Sequence, residues 1–121
     1  MKTTIYLEEL ENRINTISRR TEAYTELNRL NYLTLPEEEL SHWYYLKTIY
    51  HWRLYCETSK QVHLDLCHDY LKSTVIEHKV EWPFRYSRLY LQVIKELPNR
   101  ASLEIEAQRL STLQQEIAEN A

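Results

Sequence analysis

The chain has 121 residues, the length of one domain, and carries 15 basic against 18 acidic residues for a net charge of −3. At this size folding buries about two-thirds of the unfolded chain's surface, enough for one core. Glycine is absent and proline occurs three times, which excludes a β-rich fold. Several tight turns with positive φ would then be needed, and those normally use glycine. The charge is too mild to select a partner class, but it is uneven. Residues 1–41 and 99–121 are net acidic and residues 42–98 are net +2.

Residues 5–31 read as the first helix. Leu7, Leu10, Ile14, Ile17, Thr21 and Tyr24 alternate spacings of three and four, which keeps one narrow apolar stripe on one side of a helix. Thr3 or Thr4 is placed to cap its start. Thr34-Leu35-Pro36-Glu37 then has the form of a capping box with proline in the first turn, opening a helix over 35–57. Thr58 with Gln61 three residues later repeats a capping pattern. A helix running unbroken from 35 to 80 would span about 68 Å at 1.5 Å per residue, so a break near 58 is favoured, with a third helix over 59–80. Trp82-Pro83 ends that helix, because proline disfavours helical geometry in the residue before it. A fourth helix runs over 83–97 and is stopped by Pro98. Asn99 or Ser102 caps a fifth over 100–119. The expected architecture is therefore all-α, a four- or five-helix bundle forming a single domain over 1–121.

The helix faces differ in width. The second helix is apolar nearly all round: Trp43, Leu46, Tyr50 and Leu54 make one face, Tyr45, Ile49, Trp52 and Cys56 a second, with Tyr44 and Tyr55 between them. Such a helix must be covered from several directions, which places it at the centre. The terminal helices carry only slim, coiled-coil-like seams. Their residues Leu7, Leu10, Ile14 and Ile17, with Leu110, Leu113 and Ile117, are candidates for self-association into a homo-oligomer.

No residue pattern specifies catalysis. Cys56, His63 and Cys67 share one side of an ideal helix, but spread over about 16 Å they cannot ligate one ion. Glu8 with Glu11, Glu37 to Glu39, and Asp65 with Asp69 lie at helix starts or on solvated arcs, where the helix dipole accounts for them. Without glycine there is no phosphate loop or nucleophile elbow. No cofactor or metal is expected, and a metal-dependent helical hydrolase is the third and weakest functional reading. The first residues hold no apolar run of signal-peptide length, and two cysteines are too few for a disulfide framework, so a reduced, cytoplasmic setting is the expectation.

The least ordinary feature is aromatic. Eleven of the fourteen aromatic residues, including all three tryptophans, fall between 42 and 98. Ten tyrosines are more than one small core readily hydrogen-bonds, so some should reach a surface beside arginine, a combination typical of interface hot spots. The candidate partner-binding residues are Tyr44, Tyr55, Phe84, Arg85, Tyr86, Arg88, Leu91 and Lys95. The leading expectation is a non-catalytic protein–protein interaction module, or an accessory or regulatory subunit of a larger assembly. The alternative is a small subunit of a nucleic-acid-processing complex that contacts a single strand through basic and aromatic side chains.

Overall fold

The structure, a computed structural model, describes residues 2–120, without the side chains of residues 2 and 100. Among them are six α-helices and no strand: α1 (Lys2–Ile14), α2 (Arg20–Arg29), α3 (Glu37–Thr58), α4 (Gln61–Ile76), α5 (Phe84–Glu96) and α6 (Arg100–Glu119). Short 3-10 turns over Ile17–Arg19 and Tyr32–Thr34 precede α2 and α3. The all-α class is as expected, and the helix count is one higher.

The additional helix comes from a break in the first. Leu7, Leu10 and Ile14 are fully buried, but Ile17 is 77% exposed. Thr16 is extended, and the chain folds back so that α2 packs on α1. A charged side chain holds this reversal. Arg20 is buried, its Nε donates to the Ile14 carbonyl at 2.6 Å, and its guanidinium pairs with Glu57 at the end of α3. Arg20 thus satisfies a carbonyl that the end of α1 leaves without an intrahelical donor. Arg13 adds a second link, an ion pair from α1 to Glu26 of α2.

Helix α3 is the centre. It packs against α1, α2 and α4, while α6 packs on α4 and α5. The terminal seams therefore do not meet each other. The α3–α4 break falls where expected but by a different device. Ser59 takes the left-handed conformation (φ 57°), and its N–H donates to the Tyr55 carbonyl. Thr58 Oγ1 accepts from the Lys60 N–H, so it does not form a capping box with Gln61. The other expected caps differ as well. Thr34 Oγ1 donates to Asn31 O, and α3 starts at Glu37 behind Pro36. Thr4 donates to Glu39, and Asn99 precedes α6 in the left-handed region without a side-chain cap bond.

These positions correct the self-association reading. Leu7, Leu10 and Ile14 have 0% exposure in the single chain, so they offer no surface to a second copy. Leu110 is buried, and Leu113 and Ile117 pack partly buried against the core. Of the seven seam residues, Ile17 alone is exposed, and it stands in the turn between helices.

Two predictions follow from this geometry. Leu10→Ala should cost about 2–5 kcal/mol of stability, as for other cavity-forming core truncations. The loss should not depend on protein concentration in thermal unfolding, whereas a concentration-dependent Tm would restore an intermolecular role for the seam. Ser59→Gly and Lys79→Gly should each stabilise the chain by roughly 1 kcal/mol, because both sites hold positive φ (57° and 52°) with a side chain that resists it. Chemical denaturation midpoints that fall in either variant would contradict this.

Candidate functional site

The ten tyrosines find an internal solution. None is exposed, and five of the hydroxyls meet histidine or glutamate: Tyr6 with Glu26, Tyr24 with His51, Tyr44 with His78, Tyr55 with Glu96 and Tyr90 with Glu106. Tyr44 and Tyr86 are therefore corrected from candidate contact residues to core. Tyr86 is 2% exposed and stacks on Tyr45 at 4.5 Å between centroids. Tyr55 is half-buried with its hydroxyl on Glu96.

The most polar part of the interior lies between α2, α3 and α4. Lys47, 8% exposed, turns inward although it belongs to the net-basic segment 42–98. Its ammonium bonds to Asn28 and lies 4.6, 5.2 and 5.3 Å from the ring centroids of Tyr24, Trp43 and Tyr70. Burial lowers its pKa, and the surrounding π faces partly replace lost hydration. Beside it, His51 Nε2 is 3.0 Å from the Tyr24 hydroxyl, and its Nδ1 is 3.2 Å from His63 Nδ1. Burial first, then the charges of His63 and Lys47, pull the His51 pKa down to about 4. This network links three helices.

A second polar cluster fixes α6. Glu106 accepts from His68, from Tyr90 at 2.7 Å and from Lys72 at 3.1 Å. Burial raises its pKa, but the hydrogen bonds from Tyr90, His68 and Lys72 outweigh that and hold the carboxyl below its usual range. Gln114 completes the attachment, accepting from the Trp82 N–H and donating to the Val80 carbonyl.

Cys56, His63 and Cys67 are kept apart. Cys56 is exposed, His63 meets His51, and the buried Cys67 thiol donates to the Thr48 carbonyl. Burial pushes that thiol up to about 12. Among the described residues no group of three or more His, Cys, Asp or Glu side chains is placed to hold a metal ion. No described helix is long and apolar enough to cross a membrane.

The remaining candidates converge on α5. On a helix turning 100° per residue, Phe84, Arg88, Leu91 and Lys95 fall at i, i+4, i+7 and i+11 on one face. All four are exposed, Phe84 by 77% and Leu91 by 53%. The opposite face, Tyr86, Leu89, Tyr90, Val93 and Ile94, is sealed in the core. Toward α6, two adjoining grooves of about 380 and 270 Å³ share Leu91 and Ala107, and Trp82, Tyr90, Ile94 and Leu110 contribute to their walls. Toward α3, a separate groove of about 330 Å³ is lined by Tyr45, Ile49, Trp52, Arg53, Arg85, Arg88, Leu89 and Gln92. Arg85 bonds to Glu11 at 3.0 and 3.2 Å and lies 4.2 Å from the Tyr45 ring centroid. Tyr45, Trp52 and Arg53 were missing from the expected partner residues. The apolar face of α3 holding Tyr45, Ile49 and Trp52 was visible in the sequence, but not the helix it faces.

Compared with protein-family models, curated proteins and solved structures, the chain matches none.

The titrating groups give a signed pH dependence. His51 is depressed in the fold, so its contribution is complete above the unfolded value of 6.5 and is lost as pH falls toward about 4. That loss is on the order of 3 kcal/mol. Glu11, held low chiefly by His42 and also by Arg85, and Glu106 are likewise depressed. Their contributions go at lower pH, as the unfolded carboxylates and then the folded ones protonate. Urea midpoints should fall steadily below pH 6.5, and His51→Asn should flatten the segment between pH 6.5 and 4. An unchanged slope in that variant would contradict the assignment.

Proposed function

We propose that this chain is a non-catalytic protein-binding module, an accessory subunit that docks a partner across the outer face of α5 and the adjoining α5–α6 groove. The observation that carries the reading is the exposure of Phe84 and Leu91 on one helix face, beside a groove walled by Trp82, Tyr90 and Ile94. A groove between two helices with an apolar floor suits an amphipathic helix, which buries its own stripe there. Arg88 lies between Phe84 and Leu91 on that face and Lys95 one turn beyond, so cations are interleaved with the apolar pair. The single-strand reading has less support, since Lys47 is caged inside and the arginines near the aromatics converge on one compact groove.

Phe84→Asp with Leu91→Gln tests the proposal. Asp is well placed in the first turn of α5, and neither original side chain is in the core, so the fold should survive. A partner captured from the native host should lose about thirtyfold or more in affinity for the double variant, the loss expected when interface hot spots are removed. Unchanged binding by a folded double variant would place the interface elsewhere.

A further inference from the structure

From the α3–α5 groove we infer a binding site for a small phosphate ester carrying a flat ring, of mononucleotide size. This site lies on the α3 flank of α5 and does not rest on the proposed protein-docking face. Three arginines line it, from two helices: Arg53 of α3 and Arg85 and Arg88 of α5. Guanidinium forks match phosphate oxygens in pairs, which makes arginine the side chain suited to this chemistry.

Their charges are unequally spent. Arg85 is paired with Glu11. Arg53 is held by a neutral group, the Asn15 Oδ1, at 3.3 Å from Nε and 3.2 Å from Nη2. Arg88 makes no hydrogen bond or ion pair among the described residues. Two uncompensated positive charges therefore flank one groove on a chain whose net charge is −3. A phosphate monoester brings a charge of about −1.5 to −2 at pH 7, close to what the groove lacks. Arg85 is tethered to Glu11 of α1 and Arg53 to Asn15 just beyond its end, so part of the site is ordered before any ligand arrives.

The aromatic wall supplies the second half of the specificity. Tyr45 is engaged already, stacked on Tyr86 and covered by the Arg85 guanidinium. Trp52 is half-buried, and its one aromatic neighbour is Tyr55, tilted at 5.9 Å. Its indole is thus the ring left to stack with a ligand, an interaction that tolerates any flat heterocycle. A volume of about 330 Å³ is at the small end of ligand sites, which fits one ring with one phosphoryl group and not a polymer.

Calorimetric titrations with adenosine monophosphate, phenyl phosphate, adenosine, inorganic phosphate and a short oligothymidylate test the assignment. The two ring-bearing phosphates should bind at least tenfold tighter than adenosine, which lacks the phosphoryl group, and than inorganic phosphate, which lacks the ring. Arg88→Gln, at an exposed position without described partners, should weaken both esters tenfold or more. Trp52→Leu should erase their advantage over inorganic phosphate. No ester binding at millimolar concentration, or equal binding by folded Arg88→Gln, would overturn the site. Tenfold tighter binding of the oligonucleotide would overturn it in favour of a single-strand surface.

Discussion

Every other feature of the structure follows from the burial of α3. From Ser41 to His51 all but two residues are buried, and the two exceptions, His42 and Tyr45, are half-covered. A helix covered so completely cannot turn its polar residues to water, and Thr48, Lys47 and His51 find partners inside. Thr48 returns its hydroxyl to the Tyr44 carbonyl. Lys47 draws Asn28 and Tyr24 from α2 and Tyr70 from α4 around its ammonium. His51 links Tyr24 to His63. These demands fix which faces of α2 and α4 turn inward.

Covering α3 consumes most of the aromatic residues. Trp43 donates its indole N–H to the Leu27 carbonyl and stacks on Tyr32, and Tyr50 stacks on Tyr24 at 3.8 Å. The chain's capacity to bind something else is therefore displaced to α5, a strongly two-sided helix beyond α4. One side of α5 completes the core. The other retains Phe84 and Leu91 together with three cations of the basic central segment. The two grooves along its flanks differ in chemistry: apolar and aromatic toward α6, cationic toward α3.

Periodicity and breaker residues made much of this legible. The central helix, the breaks at 58–60 and Pro98, the start of α5 behind Pro83 and the inward face of α5 all follow from residue types and spacing, whereas α4 ends at Ile76, four residues short of the expected 80 and well before Pro83. The break in the first helix was hidden because Ile14, Ile17, Thr21 and Tyr24 keep a heptad spacing straight through it, and spacing does not register a reversal stabilised by an arginine on a carbonyl. Caps were misread because Thr34, Thr58 and Asn99 bond to local backbone or adopt left-handed φ instead. Tyrosine burial was underestimated because spacing along one helix does not show which side chain meets a hydroxyl: His51 reaches Tyr24 of α2, and His78, just beyond α4, reaches Tyr44 of α3. Of the candidate site, the α5 stripe was legible from one helix alone. The approach of Arg53 and Trp52 to Arg85 and Arg88 was not, because it depends on how α3 and α5 pack.

Native-state hydrogen exchange tests the keystone role of α3 most directly. If the bundle is organised around that helix, amides of residues 43–51 open only with global unfolding, and those of α6, attached through Glu106, Gln114 and one apolar stripe, exchange through a smaller opening. Residues 43–51 exchanging as readily as residues 103–117 would contradict an architecture built on a sealed central helix.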